Sequence, residues 1–432
     1  MHLEPVLLTV LLMLALMFLG MPIGFAMAFA GILGMFITSG GAVVAGFLTY
    51  FPFDFSSEYT FTVIPMFILM GQLAFDVGFT RELFAFTRAW FGRLPGGLAL
   101  GVIAGCTIFA ACSGSSVATA AAMGKISIPE MTRAGYDKRI AAGSVASGGT
   151  LGIMIPPSIF LALYGVMTGT SIGKLLIAGI LPGLVSAFMF MGSVMIRASI
   201  NPSLAPLVPE MTWKERTSSI KGIWGILGIA TTVLGTIYAG LCTPTEAAAI
   251  GVLGVIFLGT LSKRLKLRTL GTALMESTYS TATIFVIGLG AMMINPLFIL
   301  SDLPQVVSNL VSSWGLHPML VLFMVAAIYL ILGMFIDALS LMLITLPVIF
   351  PTIVALGFDP IWFGVIMVKF IELALITPPV GMNLYIIKAI APDFSMDDIF
   401  RGVFWFVIAD ICTLTLLILF PSLALLLPGL MN

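Results

Sequence analysis

The chain has 432 residues, of which 60% are hydrophobic and 9% charged; its 19 basic and 19 acidic residues balance, and its mean hydropathy is +1.16. A soluble domain carries about 25% charged residues, so this composition is that of an integral membrane protein embedded in the lipid bilayer, and a net charge near zero points to no nucleic-acid partner. Four cysteines in apolar runs (Cys106, Cys112, Cys242, Cys412), with no CxxC pair, argue against a disulfide frame, and only two histidines argue against a histidine-based metal site.

The N-terminus, Met1-His2-Leu3-Glu4, lacks the cationic start of a signal peptide. The apolar run 5–37 is interrupted at Gly20-Met21-Pro22 and makes either one long kinked helix or two short ones. Residues 38–59 read as a loop with Asp54 and Glu58 but no Lys or Arg, 60–78 span, and 79–97 hold Arg81, Arg88 and Arg93. The apolar run 98–112 leads into Ser113-Gly114-Ser115-Ser116, followed by small apolar residues (117–130) and a charged stretch (131–140). Residues 141–168 contain the double proline Ile155-Pro156-Pro157-Ser158, and 175–196 span. A polar connector, 198–222, carries Pro202, Pro206, Pro209 and the segment Trp213-Lys214-Glu215-Arg216, which reads as an interfacial helix.

Residues 223–240 and 245–261 span next, separated by Thr243-Pro244-Thr245-Glu246, and a cationic loop follows at 263–268. Residues 279–300 span; 318–332 and 341–352 flank a polar break at Gly333–Ser340. A second double proline, Thr377-Pro378-Pro379-Val380, lies inside 362–390, and 404–428 close the chain. Proline donates no backbone hydrogen bond and clashes with the preceding turn, so both apolar runs must break at their Pro-Pro pairs.

Those breaks repeat. An offset of 222 residues takes Pro156 and Pro157 to Pro378 and Pro379, Pro129 to Pro351, Asp137 to Asp359 and Pro22 to Pro244. The chain therefore reads as two copies of one unit, 1–197 and 223–432, joined by the connector 198–222. Each copy is expected to hold a helical hairpin (about 98–130 and about 318–352) and a broken helix (about 141–168 and about 362–390). Lys and Arg mark cytoplasmic loops. Segment 79–97 has three arginines and its counterpart 301–317 has no Lys or Arg; 123–140 has Lys125, Arg133, Lys138 and Arg139 and its counterpart 345–362 has none. Corresponding loops thus fall on opposite sides and the repeats are inverted. With both hairpins re-entrant, nearly every cation lies near the cytoplasmic side, Lys174 and Lys369 excepted.

Irregular backbone at membrane depth is tolerated where it lines a cavity or is buried in protein, and inverted repeats with discontinuous helices are the pattern of secondary transporters. Unwound carbonyls with Ser and Thr hydroxyls suit a small hard cation such as Na⁺; freed N–H groups at half-helix N-termini suit an anion. The first candidate cage is Ser113, Ser115 and the carbonyls of Gly152, Ile155 and Pro157; the second is Gly333, Asp337, Ala374 and Thr377. Ser116, Thr150, Pro156, Pro378 and Asn383, next to these cages, are candidates for the substrate. Ser-Gly-Ser-Ser also fits plain small-residue helix packing, and Glu246 and Glu372 read as structural. Lys369 and Arg133 could meet a substrate anion, but nothing in the sequence places them there.

Ser113–Ala120 (Ser-Gly-Ser-Ser-x-Ala-Thr-Ala), Ile128-Pro129-Glu130-Met131, Gly135-Tyr136-Asp137 and Leu151–Ser158 resemble the first repeat of the large membrane subunit of TRAP (tripartite ATP-independent periplasmic) transporters. Thr243–Ala249 and Thr377–Leu384 resemble the second. The resemblance spans almost the whole chain and departs at Ala374, where many relatives have glycine. It implies an all-α, elevator-type, multi-pass permease of a bacterial inner membrane, coupled to Na⁺ at the two cages and carrying organic acid anions such as C4-dicarboxylates, sialic acid or sulfonates. It also implies a small four-helix membrane subunit and a periplasmic substrate-binding protein as partners, no organic cofactor and no enzymatic activity. Two alternatives stay open: a stand-alone Na⁺–anion symporter of the same broad fold, and an intramembrane hydrolase with Ser115 or Ser116 as nucleophile. The latter needs a base within reach, and His317 is the one available histidine near the other hairpin.

Overall fold

The computed structural model describes residues 3–208, 211–334 and 336–431; Pro209 of the connector and Phe335 of the second break lie outside the described residues. Among the described residues the ordered elements are all helices, and eight segments are long and apolar enough to cross a membrane. Large apolar side chains such as Leu8, Phe25, Phe188 and Phe257 stand exposed on the outer surface, as the lipid-facing side of a multi-pass membrane protein requires.

The apolar N-terminal run is two helices, α1 (Leu3–Phe18) and α2 (Ile23–Ser39). Gly20 takes φ +89° and Pro22 precedes the first residue of α2, so the chain turns between them. The segment expected to be a loop, 38–59, is instead largely helical: α3 spans Gly41–Ser57. Its glycines, Pro52 and Asp54 have the look of a loop, but Phe47, Phe51 and Phe55 recur every four residues. Their rings stack along one face, 4.4 and 6.2 Å between centroids, and Phe55 continues onto Phe61 and Phe285. That stripe packs the helix despite Pro52.

Then come α4 (Val63–Asp76), α5 (Phe79–Phe91), α6 (Gly97–Ser113), α7 (Ser116–Arg133), α8 (Lys138–Met154), α9 (Ile159–Thr168), α10 (Ile172–Ala178) and α11 (Ile180–Ile200). α12 (Trp213–Tyr238) corrects the reading of the connector. A capping box between Thr212 and Glu215 starts the helix at Trp213, and no proline interrupts it over 26 residues. Trp213–Arg216 is therefore the first turn of a spanning-length helix and not a separate interfacial one. The remaining helices are α13 (Pro244–Leu261), α14 (Leu267–Leu300), α15 (Leu303–Ser313), α16 (Pro318–Gly333), α17 (Ala338–Ala355), α18 (Pro360–Ile376), α19 (Met382–Ile390), α20 (Met396–Leu419) and α21 (Ser422–Gly429).

Several boundaries recur 222 residues apart. α7 and α17 start at Ser116 and Ala338 and end at Arg133 and Ala355; α8 and α18 start at Lys138 and Pro360 and end at Met154 and Ile376. Their N-caps correspond too: Asp137 and Asp359 accept backbone N–H groups at the starts of α8 and α18, and Ser115 and Asp337 do so at the starts of α7 and α17.

α8 and α18 are the innermost helices: every residue from Ile140 to Met154 and from Trp362 to Ile376 is buried. With no face left exposed to lipid or water, both stand at the centre of the packing. One apolar core surrounds α8 with α6, α7, α11, α19 and α20; another holds α2, α4, α13 and α14 with α16 and α18. At the charged ends, Arg88 of α5 bonds Glu130 of α7 at 3.1 Å, Lys138 reaches the Asp393 carbonyl at 3.1 Å, and Arg139 of α8 pairs with Asp398 of α20 at 3.5 Å.

The interior also holds a cluster of charges. Lys369 of α18 has a side-chain exposure of 0%; its Nζ donates to Glu372 Oε2 at 2.6 Å and to Ser186 Oγ of α11 at 2.8 Å, and it pairs with Asp410 of α20. Glu372 and Asp410 are equally enclosed, at 0% and 1%. The cluster ties three helices together.

Candidate functional site

α6 and α7 are joined by two residues. Gly114 takes φ +61°, a left-handed turn that suits glycine, and Ser115 caps α7 by accepting the Ala118 N–H at 3.3 Å. Ser113 Oγ and Thr119 Oγ1 stand 2.5 Å apart, and Ser113 Oγ reaches the Ser115 carbonyl at 3.4 Å. The tip is thus a knot of neutral oxygens held at a helix N-terminus.

The break in α8 meets this tip. Pro156 and Pro157 carry no N–H for the carbonyls of Gly152 and Ile153 four residues earlier, so both lose their helical donors. Ser158 compensates in part: its hydroxyl donates to the Ile153 carbonyl and accepts the Leu161 N–H at 3.2 Å, capping α9. Gly152 lies so close to the tip that a Cβ there would stand 2.5 Å from the Ser115 carbonyl oxygen and 2.6 Å from Thr119 Oγ1. A Cβ on Gly114 would stand 2.7 Å from the Pro157 carbonyl oxygen. Ser113, Ser115, Gly152 and Pro157 are therefore brought together. Ile155 is extended (φ −74°, ψ 125°) and its side chain packs against Gly183 of α11.

The second break has the same build. Thr377 ends α18 with φ −90° and ψ 124°, its hydroxyl donating to the Leu373 carbonyl at 2.6 Å. Pro378 offers no donor to the Ala374 carbonyl, which accepts the Thr377 N–H at 3.3 Å instead. Both Pro–Pro bonds are cis. A Cβ on Gly333 would stand 2.5 Å from that of Ala374. The close contact that glycine makes on the broken helix of the first half is made in the second by glycine on the hairpin, which receives the Ala374 methyl. Asp337 caps α17, with Oδ1 accepting the N–H groups of Leu339 and Ser340, each at 3.1 Å. Its Oδ2 is buried and has no hydrogen-bond partner among the described residues. A buried carboxylate oxygen without a donor suits a bound cation.

The candidates for the substrate divide differently. Ser116 Oγ donates to Asn383 Oδ1 at 2.9 Å, and Asn383 Nδ2 donates to the Ala146 carbonyl at 3.0 Å. Both side chains are buried and engaged with each other, joining the first turn of α7 to that of α19. Thr150 is buried, its hydroxyl turned back to the Ser147 carbonyl at 2.8 Å. Pro156 is buried and Pro378 half-buried.

Besides the motif serines, the space in front of the first tip is lined by residues that no sequence motif marks. A cavity of about 250 Å³ is bordered by Ser113 and Ser115, by Gln72 of α4, by Lys125 of α7 and by Glu276 and Ser280 of α14. Gln72 Nε2 donates to Glu276 at 2.6 Å, and the Lys125 ammonium lies 5.8 Å from the centre of the Phe75 ring. The available signal was an ionisable residue on a small-residue helix two turns beyond a break. Lys369 is held by Glu372 and Asp410 and Arg133 by Glu130 at 3.3 Å; neither lines this cavity.

A many-helix chain with broken central helices packed against hairpin tips has the fold of a polytopic membrane transporter. It is similar to the solved YdaH transporter of Alcanivorax borkumensis (TM-score 0.60, 14% identity, covering 90% of this chain and 89% of that one). It is also similar to MtrF of Neisseria gonorrhoeae (TM-score 0.53, 13% identity, covering 88% and 85%). Residues 10–423 match the family described as the tripartite ATP-independent periplasmic transporter, DctM component, and the chain belongs to that family. Among its relatives, the C4-dicarboxylate TRAP transporter large permease protein DctM of Pseudomonas aeruginosa is 39% identical over 78% of this chain and 79% of its own length. The sialic acid TRAP transporter large permease protein SiaM of Vibrio cholerae is 31% identical over 96% and 97%. The ectoine TRAP transporter large permease protein TeaC of Halomonas elongata is 31% identical over 96% and 96%.

Proposed function

We propose that this chain is the large transmembrane subunit of a Na⁺-coupled TRAP transporter that imports a compact organic acid anion across a bacterial inner membrane. A periplasmic binding protein delivers the anion, and a small four-helix membrane subunit completes the permease. The observation that carries this reading is the meeting of the Ser113–Ser115 tip with the α8 break at Gly152 and Pro157, beside a cavity that holds Lys125. One Na⁺ sits among Ser113, Ser115 and the carbonyls of Gly152, Ile155 and Pro157. A second sits among Gly333, Asp337, Ala374 and Thr377, where the unpartnered Asp337 Oδ2 supports it. The ions supply positive charge that draws the substrate anion to the helix N-termini.

The two halves, 1–197 and 223–432, act as inverted repeats. Their hairpins are re-entrant, and the broken helices and hairpins move together as an elevator past a framework built on α2, α4, α13 and α14. Ligand pockets commonly measure about 300–1,000 Å³, and the cavity beside the tip is about 250 Å³. A cavity of that size has room for a small organic anion, the class for which several relatives are named.

The test is thermal stability of the purified permease in Na⁺ and in K⁺ at equal ionic strength. A ligand that binds only the folded state stabilises it by about 2.7 kcal/mol at a hundred times its Kd. Wild type should gain in Na⁺, and Ser115→Ala should lose most of the gain. Asp337→Asn preserves a good N-cap, so it should match wild type in K⁺ yet lose the Na⁺ increment. No Na⁺ increment in wild type, with or without substrate, would reject Na⁺ coupling.

A further inference from the structure

We propose that the outer groove between α11 and α20 binds one anionic phospholipid, its phosphate among Arg139, Arg197 and Arg401 and an acyl chain along the groove. The groove encloses about 610 Å³. Its walls are largely apolar, with Phe188, Met189 and Ile196 from α11 and Ile408 from α20, and Arg139 and Arg197 also line it. A second cavity, of about 400 Å³, adjoins it through Arg139, Arg197 and Trp405, and adds Arg401. Among the described residues, no carboxylate lines either cavity.

The three arginines are not equally occupied. Arg401 is paired with Asp397 at 2.9 Å, and Arg139 holds Asp398 through Nε at 3.5 Å. Arg197 Nη1 is buried and has no hydrogen-bond partner among the described residues. A buried donor without an acceptor is costly, and a guanidinium is shaped for the oxygens of a phosphate. An apolar trough beside that donor asks for a ligand with a charged end and a hydrocarbon body. A membrane supplies one: basic pockets between spanning helices take anionic headgroups, and an indole such as that of Trp405 favours the depth at which those headgroups lie. An apolar helix flank would fill the trough but bring no anion to Arg197. The groove is separate from the cavity beside the Ser113–Ser115 tip, and no residue lines both.

The experiment uses the full chain, stripped of lipid in detergent and then supplied with phosphatidylglycerol, phosphatidylcholine or inorganic phosphate. Native mass spectrometry counts bound lipid and a melting curve reads stability. Wild type should retain one phosphatidylglycerol and melt higher with it, and respond to neither phosphatidylcholine nor phosphate alone. Arg197→Gln should weaken phosphatidylglycerol binding about tenfold, the loss of a charge-assisted contact. Ser193→Trp, which fills the trough and leaves the arginines in place, should abolish it, so the two ends are tested by separate variants. Equal binding of phosphatidylcholine, an equal shift with inorganic phosphate, or undiminished binding in both variants would overturn the proposal. So would crosslinking of position 193 to a co-purified small membrane subunit.

Discussion

Lys369→Met should destabilise the protein by about 3–5 kcal/mol, the usual cost of removing one partner from a buried ion pair. The substitution is nearly isosteric, so the loss comes from Glu372 and Asp410, two carboxylates left in an interior where each is at most 1% exposed. Restoring electrical neutrality should restore the fold. The triple variant Lys369→Met/Glu372→Gln/Asp410→Asn should recover most of the lost stability, because replacing a whole buried charge cluster is often neutral. Thermal melts of the two variants in the same detergent make the comparison. A single variant within about 1 kcal/mol of wild type would mean that the cluster adds little to the packing of α11, α18 and α20.

Under the proposed Na⁺ coupling, Gly152→Val should abolish uptake and the Na⁺-dependent gain in stability, and leave stability in K⁺ less affected. Its Cβ would stand 2.5 Å from the Ser115 carbonyl oxygen, so the tip must back away from the broken helix. Overpacking of this kind costs about 1–3 kcal/mol. In the proposed scheme that cost falls on the ion-bound arrangement, about a tenfold to hundredfold loss of apparent Na⁺ affinity. Ile153→Val, one residue away and changing no backbone contact, is the control. A Gly152→Val protein with an unaltered Na⁺ response would remove the tip–break contact from the ion site.

Much of this was legible because proline acts locally and without regard to tertiary context. Each Pro-Pro pair removes two N–H groups from a helix, so the breaks after Met154 and Ile376 follow from the chain itself. Gly20 and Pro22 marked a break equally well, but whether a kink or a turn resulted depends on φ at Gly20, and glycine takes either sign of φ. α3 was misread because its turn-like residues are visible in order, whereas the face made by Phe47, Phe51 and Phe55 matters only once Phe285 arrives from a helix more than two hundred residues away. The cavity at the tip was out of reach for the same reason: Gln72, Lys125 and Glu276 come from three helices. Glu372 meets Lys369 of its own helix in the interior, a pairing that the spacing of three residues makes visible in the chain. Asp410, an ionisable residue in an apolar spanning run, carries a signal of its own.

The hydrogen bond between Ser116 and Asn383 has a thermodynamic consequence. It does not link parts of one half; it fastens the helix that starts at the first tip to the helix that resumes after Thr377, with Ala146 holding Asn383 in place. In the proposed scheme, an ion that orders Ser115 also steadies the first turn of α19, and an ion at Thr377 steadies the first turn of α7. Linkage makes that help reciprocal. The two cation sites then fill with positive cooperativity, and the transporter responds to external Na⁺ more as a threshold than as a simple hyperbola.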